Sequence, residues 1–304
     1  MNHHILAEKS ASLTQRVSGG RYALKFAAGF WAVLAAICLQ SCERSPFGAN
    51  EIKESNRTIH GEIKLFDNTS PEGVYVWLEG IDVGTTANAD GSFQLLLPAD
   101  LNPNDLARSN SSLRLFFYMA NYELLYKQVV INNGEFVYNR ADVTKNGQLT
   151  PPLALKRFLR IKTEIDPPSV RENYAGILKA TATFESPGDS TTLLFPKAIG
   201  GMLGAILLRN TDTRQVFIYE AVPGQESIET MLVGQAPQSR SMTFGIAQQT
   251  LPAGKYEVIP YLLVAHENLP AGLLNSLGRN VTALTPNYLK IPFRRENAIL
   301  EIVQ

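Results

Sequence analysis

Val74-Tyr75-Val76-Trp77-Leu78-Glu79 alternates aliphatic with aromatic residues, and that period of two decides the fold. Successive side chains of a strand point to opposite faces, so Val74, Val76 and Leu78 share one face and Tyr75 and Trp77 the other. Upstream, Ile59, Gly61, Ile63 and Leu65 alternate with His60, Glu62 and Lys64. The turn cluster Asp67-Asn68-Thr69-Ser70-Pro71-Glu72-Gly73 separates the two runs. Downstream, Gly84-Thr85-Thr86-Ala87 and Ser92-Phe93-Gln94-Leu95-Leu96-Leu97-Pro98 flank Asn88-Ala89-Asp90-Gly91, which reads as a hairpin turn with Gly91 supplying a positive φ. Short half-buried strands punctuated by turns predict an all-β chain. Asn88 and Asp90 are too few oxygen ligands for a calcium loop, so turn geometry is expected there.

These motifs resemble the carboxypeptidase regulatory-like domain. The match runs through Ile59-His60-Gly61-Glu62-Ile63, Pro71-Glu72-Gly73-Val74-Tyr75-Val76 and Thr86-Ala87-Asn88-Ala89-Asp90-Gly91-Ser92-Phe93. It continues in Leu113-Arg114-Leu115-Phe116-Phe117-Tyr118 and in the corner Asn121-Tyr122, where the family carries Gly-Tyr. Leu125 to Ile131 and Gln148 to Leu155 are the remaining strands of the pattern. The resemblance covers residues 58–155, a third of the chain, and implies a β-sandwich of transthyretin-like (prealbumin-like) topology. Tyr75 and Trp77 face away from the expected core. They are the candidate ligand contacts, for stacking on a sugar or a partner, and the other reading is packing beneath a neighbouring loop or domain.

Thr150-Pro151-Pro152 is the boundary, because Pro-Pro cannot continue a central strand. Beyond it, Leu159, Ile161 and Ile165 make one stripe, Leu178, Ala180, Ala182 and Phe184 a second, and Met242, Phe244 and Ile246 a third. Residues 202–209 and 215–221 flank Asn210-Thr211-Asp212-Thr213 as a hairpin. Residues 255–264, 288–293 and 298–303 are expected as strands, and Ala271–Leu277 as one or two helical turns. Residues 198–208 carry no charge but are too few to span a bilayer, so a buried strand is expected there. Residues 156–304 thus predict a second β-rich domain, a β-sandwich of no recognised family.

The first 41 residues differ from all that follows. Arg16, Arg21 and Lys25 precede an uncharged run of fourteen residues from Phe26 to Leu39, the length of a signal-peptide apolar region and short of the ~20 residues of a spanning helix. Leu39-Gln40-Ser41-Cys42 resembles the bacterial lipobox. In that family the cysteine takes a diacylglycerol, the signal is cut before it, and the new amino group is acylated. The resemblance implies residues 1–41 as a cleaved lipoprotein signal peptide and Cys42 as the lipidated residue. The polar stretch 43–57 then serves as a tether, and several acyl chains make a stable anchor. The alternative is a plain signal peptide or a short uncleaved anchor, with Cys42 there by chance.

With 304 residues, 28 Lys+Arg and 28 Asp+Glu, the chain suits two domains and lacks the basic surface of a nucleic-acid binder. Without residues 1–41, 24 basic residues face 27 acidic ones. Two cysteines exclude a disulfide scaffold and a four-thiolate metal site. Past the signal only His60 and His266 remain, neither with a Glu three residues on, so the zinc peptidase that often accompanies the regulatory-like domain is not expected. Both histidines are expected in solvent. No Gly-x-Ser-x-Gly elbow or phosphate-binding Gly-x-x-x-x-Gly-Lys loop occurs. The expectation is a lipid-anchored envelope protein, not an enzyme, with non-catalytic β-sandwiches in a binding or structural role. No cofactor, metal or catalytic residue is assigned. Its partners are the membrane, through Cys42, and an envelope protein or glycan, with no nucleic acid. The outer membrane is favoured over the inner. A carbohydrate- or peptide-binding module is the alternative, and an envelope hydrolase with paired carboxylates the third reading.

Overall fold

A computed structural model of the chain describes residues 56–99, 111–248 and 251–304. The signal peptide, the lipobox, Cys42 and the tether as far as residue 55 lie outside the described residues. At the end of the polar stretch, Asn56 O accepts from Phe136 N at 2.7 Å and Arg57 O from Leu97 N at 2.8 Å. Ser55–Gln304 forms one compact unit, and its described part is all-β.

The first half contains β1 (Thr58–Glu62), β2 (Lys64–Leu65), β3 (Tyr75–Leu78), β4 (Val83–Thr86), β5 (Ser92–Leu96), β6 (Ser111–Tyr118), β7 (Leu125–Asn132), β8 (Glu135–Phe136) and β9 (Ala154–Leu155). One layer is the antiparallel sheet β4-β3-β6-β7-β8; opposite it lie the pairs β1-β5 and β2-β9. Ile59, Ile63, Val76, Leu78, Phe93, Leu95, Leu115 and Phe117 are buried between them, the inner half of each alternation.

The expected hairpin around 88–91 is a different structure. β4 and β5 belong to different layers, so the turn carries the chain across the sandwich. Gly91 (φ 87°) permits this, because a Cβ there would overlap the carbonyl oxygen of Ile63, whose amide N donates to Gly91 O at 2.9 Å. Asp90 Oδ1 accepts from Ser92 N at 2.9 Å and Ser92 Oγ at 2.7 Å, and Asn88 Nδ2 donates to Ser92 Oγ at 2.9 Å. These polar side chains hold the turn itself.

The second half contains β10 (Arg160–Asp166), β11 (Ser169–Arg171), β12 (Leu178–Glu185), β13 (Thr191–Pro196), β14 (Ala205–Asn210), β15 (Val216–Glu220), β16 (Ile228–Val233), β17 (Gln238–Phe244), β18 (Gly254–Pro260), β19 (Leu263–Val264) and β20 (Ala298–Val303), with one helix, α1 (Ala271–Leu277). They form the sheets β10-β12-β17, β16-β13-β19 and β11-β20-β18-β14-β15, packed around Phe184, Phe195, Ile206, Leu208, Tyr256 and Leu300. β14 and β15 are the expected hairpin, paired from Ala205–Glu220 to Arg209–Val216. Asn210 Oδ1 accepts from the Asp212 and Thr213 amides to close it.

The uncharged run ends in β14, a central strand covered on both faces. Ile206 and Leu208 enter the second-half core, while Ala205 and Leu207 enter a third cluster. Residues 288–293 depart from expectation. They begin in a 3-10 turn, Pro286–Lys290, that buries Tyr288, and they form no strand. Pro286 and Pro292 each lack the amide a ladder needs.

The third cluster joins the halves. Trp77, Phe116 and Tyr118, on the outer face of β3-β6, pack with Ala205, Leu207 and Ile259 from β14-β18, and with Tyr261, Leu273, Val281, Tyr288 and Ile291. Burying a large apolar side chain stabilises by about 1.5–3 kcal/mol, so this seam locks the two sandwiches together. β6 shows the consequence in its own sequence. Leu113 and Leu115 alternate with exposed positions, and then Leu115 to Tyr118 are all buried, because both faces of that end are covered.

Candidate functional site

Tyr75 and Trp77 lie under the second half. Trp77 is 3% exposed, its Nε1 donates to Asp82 Oδ1 at 2.9 Å, and its ring abuts α1, where a Cβ on Gly272 would stand 3.1 Å from Cη2 and Cζ2. Tyr75 is half-buried, with its hydroxyl 3.0 Å from Ser276 Oγ; a Cβ on Gly84 would overlap that tyrosine. The outer face of β3 is therefore taken up by helix packing. Cys42 lies outside the described residues.

Along the same seam, further across the sheet, the two halves leave an open cleft of about 590 Å³. The first half contributes Arg114, Phe116 and Tyr126 from β6 and β7, the connector contributes Lys156, Arg157 and Phe158, and the second half contributes residues 188–192, which lead into β13, and the segment 265–268. Phe116 and Tyr126 are cross-strand partners, with ring centroids 5.8 Å apart. Period two along β7 turns Tyr126 outward, beyond the reach of α1, and leaves it 50% exposed.

Arg114 is fixed beside these rings. Its Nε and Nη2 donate to the two oxygens of Glu79 at 2.8 and 2.9 Å, a fork geometry that removes rotamer freedom. Its guanidinium carbon lies 5.1 Å from the Phe116 centroid and 6.0 Å from that of Tyr126. Deeper in, Arg157 Nε lies 2.7 Å from Asp67 Oδ2 and donates to Tyr122 Oη at 2.8 Å, while Tyr122 Oη donates to Asp67 Oδ2 at 2.8 Å. Burial raises the Asp67 pKa, but the bonds from Thr69 and Tyr122, with the Arg157 charge, hold it below the ordinary value.

His266 is not a solvated loop histidine. Nε2 donates to Ala120 O at 2.7 Å, and the ring sits edge-on to Phe158 and Tyr118 at 5.3 and 5.7 Å. Burial lowers its pKa, against the opposing pull of the Ala120 bond, so the wall of the cleft is neutral there near pH 7. His60 stays exposed on β1. Among the described residues no three His, Cys, Asp or Glu side chains gather as a metal site.

An exposed aromatic ring beside a fixed guanidinium, with Lys156 and Glu123 (3.2 Å apart) at the rim, can stack on a sugar or side chain and hydrogen-bond its polar groups. Sequence reasoning passed over Tyr126 in favour of Trp77. No local signal separates the two: the structure pairs Tyr126 with Phe116 on the far side of β6 from Trp77.

No family model matches the chain, and no curated protein does. Solved structures that are similar in part include two bacterial proteins. The major pilin subunit of Bacillus cereus is 9% identical, with 68% of each chain covered and a TM-score of 0.24. The Bacillus anthracis TIE protein is 10% identical, with 83% of this chain and 51% of that chain covered and a TM-score of 0.23.

Proposed function

We propose that this is a lipid-anchored bacterial cell-envelope protein, held through Cys42 at the outer membrane, whose joined sandwiches bind a glycan or peptide without transforming it. The observation that carries the binding role is the seam cleft with Tyr126 half-exposed beside the clamped Arg114. The anchor rests on Leu39-Gln40-Ser41-Cys42. The resemblance of residues 58–155 to the carboxypeptidase regulatory-like domain, without the zinc ligands of its usual neighbour, supports a non-catalytic reading.

Two experiments test the two halves of the proposal. Palmitate labelling of cells is expected to mark the wild-type chain and not Cys42→Ser; an unlabelled wild type would sink the anchor. Glycan and peptide arrays probed with the purified protein are expected to give binding that Tyr126→Ala weakens about two- to tenfold, in line with the loss of one aromatic stacking contact. Binding untouched by Tyr126→Ala, or turnover of the bound compound, would overturn the cleft reading.

A further inference from the structure

A second pocket, of about 430 Å³, lies between β14-β18 and the segment that follows the 3-10 turn, and it is lined by Arg209, Lys290, Arg294, Arg295 and Asn297 with the carboxylates Glu72 and Glu257. Its charges are unevenly paired. Arg209 and Glu257 are cross-strand partners, with Nε 2.7 Å from Oε2. Arg294 and Arg295 are held by neutral oxygens instead. Nη2 of Arg294 donates to the carbonyls of Ser70 and Glu72, the latter at 2.9 Å. Arg295 Nη2 donates to Tyr288 Oη at 2.5 Å, and its guanidinium carbon lies 3.8 Å from the Phe293 ring centroid.

Among the described residues no carboxylate forms an ion pair with either arginine; the ion pair in this lining is Arg209 with Glu257. Nε of Arg294 and Nε of Arg295 are buried with no hydrogen-bond partner. Both side chains are half-buried, and a partly desolvated guanidinium with no carboxylate in ion-pair contact is poorly compensated. Burial and the facing Arg209 charge press the Arg295 pKa down, opposed by Tyr288 and Glu257. The lining sets four cationic side chains against two carboxylates, one of which, Glu257, is already taken by Arg209, so the pocket keeps a positive excess.

We propose that this pocket is an oxyanion site, taking a carboxylate or phosphate group carried by a small organic ligand. Fork-shaped guanidinium groups match planar carboxylate and tetrahedral phosphate oxygens, which accept two N–H bonds at once. Arg295 and Arg294 supply the donors and Lys290, exposed at the mouth, supplies steering charge. The volume exceeds what an inorganic ion needs, so the anion is the charged end of a larger molecule such as a sugar acid. The site is separate from the seam cleft and stands or falls independently of it.

Titration of the purified lipoprotein with sodium phosphate and with sodium glucuronate, against sodium chloride at matched ionic strength, tests this. The melting temperature is expected to climb about 3–6 °C at tenfold saturation with one or both anions. A response to phosphate alone assigns a phosphate ligand, and a response to glucuronate alone assigns a carboxylate. Arg295→Gln is expected to abolish the response. Should that variant fail to fold, Lys290→Ala, an exposed change, is expected to weaken binding several-fold, less so at high salt. Wild-type shifts no larger than those of chloride, or affinities unchanged in Lys290→Ala, would overturn the site.

Discussion

Asn121 and Arg294 are joined by a reciprocal pair of hydrogen bonds across the two halves of the protein. Arg294 N donates to Asn121 Oδ1 at 3.0 Å, and Asn121 Nδ2 donates to Arg294 O at 2.9 Å. The same Nδ2 donates to Leu159 O at 2.9 Å, and Asn121 is fully buried. The side chain does for the seam what a ladder does for a sheet.

Asn121→Ala and Asn121→Gly are therefore expected to destabilise by roughly 2–4 kcal/mol, because each strands buried backbone groups of Arg294 and Leu159. The backbone at this corner does not take a positive φ, so glycine gains no relief. Urea unfolding of both variants checks this; a loss below about 0.5 kcal/mol would show that water replaces the side chain.

Trp77→Ala is expected to cost about 3–5 kcal/mol as a cavity beneath α1. Gly272→Leu is expected to cost about 1–3 kcal/mol, since its side chain must enter the space the indole fills. The double variant is expected to be more stable than the sum of the two losses predicts, as contacting positions couple. Strict additivity in thermal unfolding would place the indole elsewhere.

Asp67 gives an acid-side signature. Its folded pKa lies below the ordinary 3.8, so its bonds to Arg157 and Tyr122 stabilise fully above that value and are lost as pH falls through the folded pKa. Asp67→Asn is expected to be less stable than wild type by about 1–3 kcal/mol at pH 7, with the difference shrinking below pH 4. A gap that stays constant down to pH 2 would contradict it.

His266 acts at milder pH. Its folded pKa lies below the ordinary 6.5, so on acidification the unfolded chain takes up this proton first. The contribution is complete above 6.5 and drains away as pH falls beneath it. Melting temperature recorded between pH 7.5 and 5 is expected to decline less in His266→Phe than in wild type. Parallel declines would exclude His266 as the cause.

Much of the fold is legible in single runs of residues. The alternation through Val74, Val76 and Leu78 marks inner positions correctly, and the uncharged stretch 198–208 reads as a buried strand, which holds only from Ala205 on, since Ile199–Gly201 form an exposed 3-10 turn. Local signals fail where a residue's neighbour is distant in the chain. Asn88-Ala89-Asp90-Gly91 has hairpin chemistry, yet the strand after it leaves the free edge of β4 and pairs with β1 in the opposite layer. His266 carries no local mark of burial; Tyr118 and Phe158, more than a hundred residues earlier, enclose it.

The sequence by itself determined the all-β class, because period two and turn residues act over a few positions at a time. It also determined the inward face of alternating strands such as β1, β3 and β12 and the presence of the Leu39-Gln40-Ser41-Cys42 motif. Only the tertiary structure decided that the outer face bearing Trp77 is sealed by α1 while Tyr126, on the neighbouring part of the same sheet, stays open. Exposure is a property of what arrives from elsewhere in the chain, and a single stretch of sequence does not contain it.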